Sequence, residues 1–322
     1  MPRRRKSKLT AHLKRRVFTL LRLGVTLGAV WLVFHNVDWT NLARLLAHAG
    51  IGLPALSMVP LVAQFIACVW RWQIVIAMLS GVAVSAPLLA ISLGRSLLIG
   101  QYLPSTVGSD VVRAALVGRR TGIVIAVRSV ICDRVVGLVV LLAMVVATLP
   151  LFAIRVDRGA ALAAVAALSI GGLAAFLLFI ARVDLLARLP YVGRHMALIA
   201  TDLRQVFTRG RDSCYILLLS VAAQVFNVLL ICGLARALAS PISVLQCLLI
   251  VPPALLIASV PISLGGWGVR EGALAAGFAL VGAGSAAGVG ASILYGLTSP
   301  LVGIIAELAT PFARSATPED AS

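Results

Sequence analysis

Ionisable side chains are scarce in this sequence, and most stand in tails or short connecting stretches, so those embedded in apolar runs are the first candidates for chemistry. Arg71, Arg95, Arg113 and Arg270 are such arginines, and Asp110, Asp133, Arg134 and Glu271 lie in or beside the same runs. A charge placed in hydrocarbon costs at least about 2.5 kcal/mol on insertion scales, so these groups are expected to face partners or a polar pathway. A guanidinium keeps its charge when buried and grips phosphate through two parallel hydrogen bonds. Four arginines with few acids therefore suit an anionic ligand. Asp133 and Arg134 are neighbours and point roughly 100° apart on a helix, so they are not expected to pair with each other. Arg128, Arg134 and Glu307 also fit a plainer reading, as charges near helix ends that reach water.

Other chemistries find little support. Cys68, Cys132, Cys214, Cys232 and Cys247 are isolated, without a CxxC pair or a His/Cys cluster, and read as reduced packing residues. His12, His35, His48 and His195 are scattered, and no Walker loop or nucleotide-binding glycine motif is visible. No catalytic residue, metal or cofactor is expected, and acid–base work could fall only to Asp110, Asp133 or Glu271.

The elements that must position these charges follow from composition. Hydrophobic residues make up 61% of the 322 positions and charged residues 12%, against about 25% charged in soluble proteins. Apolar runs near 17–35, 53–79, 86–103, 122–153, 159–181, 213–238, 243–262 and 285–309 have lengths that suit membrane helices of about 20 residues. The first follows a basic tail and lacks a small-residue cleavage site, so it is expected to remain as an anchor. The net charge of +17 is distributed between the apolar runs, which suits anionic lipid surfaces and not nucleic acid. The expected organisation is a basic tail over 1–16, a single transmembrane domain over 17–310 with repeat halves near 53–154 and 213–309, and a polar tail over 311–322. No segment offers room for a soluble enzyme domain.

Arginine placement predicts topology. The polar stretch 182–212 is basic, as is the N-terminal tail, and both are expected in the cytoplasm. Eight full crossings would separate them, so segments 86–103 and 243–262 are expected to dip into the membrane and return. That arrangement puts Arg119, Arg120, Arg314, the tail and 182–212 on one face, and Arg44, Arg155, Arg158 and Arg236 on the other. Within 182–212, Met196, Ile199, Ala200, Leu203, Val206 and Phe207 recur at helical spacing opposite Arg194, Thr201, Asp202 and Gln205. This suggests a short helix in the headgroup region or a linker helix.

The two dipping segments also align with each other. Pro104 matches Pro261, Gly108 matches Gly265, and Val112-Arg113 match Val269-Arg270, with Gly266 and Gly268 completing the second glycine-rich stretch. Broken, glycine- and proline-interrupted segments at matching places in two oppositely oriented halves point to a transporter's binding site near the bilayer midplane. The fold class predicted is an all-α polytopic membrane protein of about six to eight transmembrane helices, with two re-entrant hairpins forming an inverted-topology repeat.

The stretch from Leu103-Pro104 to Arg113, the Cys132-Asp133-Arg134 run, the Arg71-Trp72 pair and the run Pro261 to Gly272 together resemble the flippase-like family, also described as the lysylphosphatidylglycerol synthase transmembrane region. The likeness covers roughly 17–310. It implies movement of a phosphate-bearing, isoprenoid-linked or hopanoid-type lipid between leaflets, without chemistry on the lipid, and puts Arg71, Arg113, Arg134, Arg270 and Glu271 at motif positions. The family commonly has Glu where this chain has Asp133, an acid near Gly137, and an arginine where the last helix reads Tyr295-Gly296-Leu297. The partner implied is a membrane lipid with an anionic headgroup, alone or with a lipid-biosynthesis enzyme, in the inner membrane with both termini cytoplasmic. A membrane-embedded lipid transferase and a non-catalytic subunit of a lipid-modifying enzyme are the competing readings. With single cysteines in a cysteine-free background, Thr208 is expected to be labelled from the cytoplasm and Asp157 from outside. Ser105 and Ser263 should be reached from opposite faces, and same-face labelling would remove the inverted repeat.

Overall fold

The computed structural model describes residues 40, 44, 52–100, 106–155, 159–182, 193–260 and 267–308, and among them it contains helices and turns but no strand. Segment 17–35, both tails, and Pro104, Pro261, Gly265 and Gly266 lie outside the described residues. The helices are α1 (Gly52–Leu56), α2 (Met58–Ser80), α3 (Ala86–Gly100), α4 (Thr106–Thr121), α5 (Ile123–Arg155), α6 (Gly159–Ala181), α7 (Gly193–Thr208), α8 (Arg211–Ala237), α9 (Val244–Ser259), α10 (Val269–Leu280) and α11 (Ser285–Leu308).

Local sequence explains their ends. Gly81 closes α2 in the left-handed conformation (φ 69°), and its N–H bonds to Ala77 O. Ser243 and Gln246 form a reciprocal capping box at the start of α9, with Gln246 N donating to Ser243 Oγ at 3.2 Å and Ser243 N donating to Gln246 Oε1 at 2.9 Å.

Among the described residues, five helices are long and apolar enough to cross a membrane: α2, α5, α6, α8 and α11. The apolar helices α3 and α9 are shorter, 15 and 16 residues, or roughly 22–24 Å against a hydrocarbon core of about 30 Å. Helix α6 identifies the lipid-facing side. It is apolar all round, yet only 6% of its span is buried, and Leu168, Ile170, Leu177 and Leu178 are more than half exposed. Such a surface calls for apolar surroundings, as the hydrocarbon of a membrane provides. Helix α7 is amphipathic, but it packs on α2, α5, α6 and α8, burying Leu203 and Val206 against Cys132, Val136 and Ile216. Asp202, assigned above to its polar face, is also buried.

The order long, short, short, long occurs twice, as α2–α5 and as α8–α11. Exchanging α2 with α8, α3 with α9, α4 with α10 and α5 with α11 maps the principal helix contacts onto one another. Thus α3 packs on α11 as α9 packs on α5, and α4 packs on α3 and α5 as α10 packs on α9 and α11. The α2–α8 seam maps onto itself, and it is antiparallel. Ser57 meets Gly233, Arg71 bonds Ser220, and Met78 O accepts from Arg209 just ahead of α8. Equivalent helices running in opposite directions make the repeat an inverted one.

Each half has its own apolar core. Val69, Trp72, Ile76, Leu89, Val117 and Val130 pack within α2–α5, while Leu230, Ile231, Ile250, Val251, Leu274 and Phe278 pack within α8–α11. The halves also meet at α3–α11, where a Cβ on Gly303 would lie 2.5 Å from Gly94 O and 2.9 Å from Leu98 Cγ. Gly303→Leu is therefore expected to force these helices apart and destabilise the fold by about 1–3 kcal/mol, read as a lower midpoint of thermal unfolding in detergent. An unchanged midpoint would contradict this packing.

Candidate functional site

The arginines picked out above are brought together around one carboxylate. Asp133, on α5, accepts from Arg71 Nε of α2 at 2.7 Å on Oδ1 and from Arg113 Nη1 of α4 at 2.9 Å on Oδ2. These residues are 3%, 7% and 4% exposed. Arg113 also donates through Nε to Asp110 Oδ1 at 3.0 Å and through Nη2 to Val130 O at 3.4 Å, and Asp110 pairs with Arg134 through its other oxygen. Arg71 Nη1 reaches Ser220 Oγ on α8 at 3.4 Å, tying the cluster to the second half. Trp72 supports it from below. Its ring faces the Arg113 guanidinium at 5.0 Å, and its Nε1 donates to Ser129 Oγ at 3.1 Å. Neighbouring Asp133 and Arg134 do take separate partners, as their helical spacing requires.

A cavity of about 250 Å³ opens beside this cluster. Its charged wall holds Arg71, Asp110, Arg113, Asp133 and Arg134, three guanidiniums with two carboxylates. Gly137, next to the Arg71 guanidinium, adds no acid. Ser109 of α4 stands beside Arg134, and the rest of the lining comes from α2, α3 and α11: apolar Leu61, Phe65, Leu93, Leu97 and Val302, and polar Gln64, Cys68, Ser96, Tyr295 and Ser299. Since α11 belongs to the second half, the cavity lies on the boundary between repeats.

The remaining sequence-predicted residues stand elsewhere. Arg270 and Glu271 do not line the cavity. Glu271 accepts from Arg270 Nη2 at 2.8 Å, from Ser292 Oγ at 2.8 Å and from Gly268 N at 2.6 Å, so it caps α10 while neutralising its neighbour. Arg270 is held between the rings of Trp267 (5.2 Å) and Tyr295 (5.1 Å). Gly296 leaves room for this arrangement, since a Cβ there would come within 2.7 Å of Arg270 Nη2. Gly268 has φ 81°, which favours glycine. Tyr295 lines the cavity and also faces Arg270 of this closed centre. Arg95 pairs with Glu307 across the α3–α11 contact at 2.9 Å, and both are partly exposed. Arg128 on α5 makes a two-pronged pair with Asp202 on α7. Gly108 lies at the start of α4, two residues from Asp110.

Sequence reasoning missed Gln64 and Tyr295. Gln64 could have been found, because Gln64, Cys68 and Arg71 form a polar stripe at i, i+4 and i+7 on the apolar helix α2. Tyr295 carried no such signal. Its position depends on how α11 crosses α8, where its hydroxyl donates to Asn227 Oδ1 at 3.2 Å.

Asp133→Asn leaves Arg71 and Arg113 buried with one charge partner fewer. It is expected to destabilise the fold by about 3–5 kcal/mol, seen as early unfolding in a denaturant series. Removing the charges together, in Arg71→Met, Asp133→Leu, Arg113→Met, should restore much of that stability. A mild effect for the single substitution would show that the cluster is not sealed from water.

Comparison with curated proteins gives no match, and comparison with solved structures gives none. The sequence model of the family described as lysylphosphatidylglycerol synthase TM region matches residues 19–306, a span that includes the whole charged cluster, the cavity and all but the last residues of the two repeat halves. With that match over most of its length, this chain belongs to the lysylphosphatidylglycerol synthase transmembrane-region family, a family of multi-pass membrane proteins concerned with lipids.

Proposed function

We propose that the chain moves a lipid with an anionic, phosphate-bearing headgroup between leaflets and leaves the lipid chemically unchanged. The observation that carries this reading is the boundary cavity, with three arginines against two carboxylates on one wall and apolar side chains on another. A phosphate of one net negative charge would balance the excess. Both glycerophospholipids and isoprenoid-linked phosphates have that chemistry, whereas a hopanoid without phosphate would make no use of the arginines. The tails would remain in lipid beside α3 and α11. Alternation of the two halves about the α2–α8 seam would change the exposed side, with α3–α4 and α9–α10 as the re-entrant pairs. An inner-membrane location with cytoplasmic termini belongs to the same reading, on the basis of arginine distribution.

A transferase would need a free acid or base near the headgroup. Asp110 and Asp133 are both held by arginines, which supports transport over catalysis. Arg134 is the best test residue, because its side chain is 47% exposed and its loss should not unfold the protein. In proteoliposomes containing tail-labelled phosphatidylglycerol, Arg134→Gln is expected to slow leaflet exchange by at least about tenfold with an unchanged unfolding midpoint. Exchange at the wild-type rate would sink the proposal, and a covalently altered lipid would favour the transferase.

A further inference from the structure

On the polar wall of the cavity away from the arginines, the hydroxyl protons are already committed. Ser96 Oγ donates to Leu93 O at 2.8 Å, Ser299 Oγ donates to Tyr295 O at 2.7 Å, and the Tyr295 hydroxyl donates to Asn227 Oδ1 at 3.2 Å. Each hydroxyl has thus committed its proton to the protein and offers only lone pairs to a ligand. Gln64 adds an acceptor that nothing satisfies. Among the described residues, its Oε1 is the one buried side-chain nitrogen or oxygen with no hydrogen-bond partner. A buried acceptor without a donor is destabilising, so its position against a cavity points to a donor that arrives with the occupant.

Geometry connects this acceptor to the charged wall. Gln64 and Arg71 are two turns apart on one face of α2, roughly 10 Å along the helix, with Cys68 between them. A ligand that engages both must present a phosphate at one end and a hydrogen-bond donor a few bonds away. We infer that the headgroup carries a hydroxyl donor next to its phosphate, and that Gln64 is the specificity residue that selects for it. This inference rests on the phosphate-lipid reading of the same cavity and narrows the class of lipid.

The test compares two lipids of equal charge and identical dioleoyl tails, phosphatidylglycerol, which has headgroup hydroxyl donors, and phosphatidylmethanol, which has none. Binding to the full chain is measured by native mass spectrometry. The wild type should prefer phosphatidylglycerol by at least about tenfold, since the analogue leaves the buried acceptors unpaired. Gln64→Met, of similar shape, should bring the ratio close to one by weakening phosphatidylglycerol alone, and Arg134→Gln should weaken both lipids equally. A wild-type ratio near one, or a preference retained in Gln64→Met, overturns donor selection while leaving the phosphate reading in place. Failure of the wild type to bind either lipid overturns both. Soluble glycerophosphoglycerol binding as tightly as the lipid would keep donor selection but overturn a lipid as its source.

Discussion

The rest of the structure depends on Asp133 being shared by two arginines in a place where water is scarce. Arg71 comes from α2, Arg113 from α4 and Asp133 from α5, so one carboxylate joins three helices of the first half. Through Ser220 the same cluster reaches α8 of the second half. In hydrocarbon, each charge can persist only if its partners stay in place, which ties the helix arrangement to the electrostatics. The cavity follows from this constraint. Arginines fixed by carboxylates cannot fold back to fill the space beside them, so it remains open, polar on one side, and of the right charge for a phosphate.

The two halves use one plan to different ends. Arg113 and Arg270 match in sequence, and each lies on the short helix that precedes the last helix of its half. Arg113 shares Asp110 of its own helix and Asp133 of α5, and it borders a cavity. Arg270 draws its acid from the next residue and is enclosed by Trp267 and Tyr295. The two halves thus hold a cation at matching positions in different surroundings, one open to a cavity and the other closed.

Much of this was legible in the sequence. The apolar runs give the helices to within a few residues because a membrane span is a statement about length and hydropathy, both of which are local. The opposed direction of the halves was expected from the arginine count, and the α2–α8 seam is antiparallel. The charged residues could be identified as special, but their sorting could not. Arg71 and Arg113 look no different from Arg95 and Arg270 until Asp133, Glu307 and Glu271 have been allotted among them, and that allotment is set by helix crossings. Asp202 illustrates the same point. Periodicity places it opposite the apolar face of α7, but Arg128 on a distant helix decides its burial.

The antiparallel seam also bears on how the protein is made. A unit repeated in opposite orientations cannot rely on a single arginine bias to insert both copies, because what directs one copy misdirects the other. The orienting charges have to lie outside the repeated helices. In this chain Arg182, Arg188, Arg194, Arg204 and Arg209 stand between the two halves, and a dense basic tail precedes the first. A basic stretch at that place is where an arginine bias would hold the middle of the chain on one face while the second half enters the bilayer reversed.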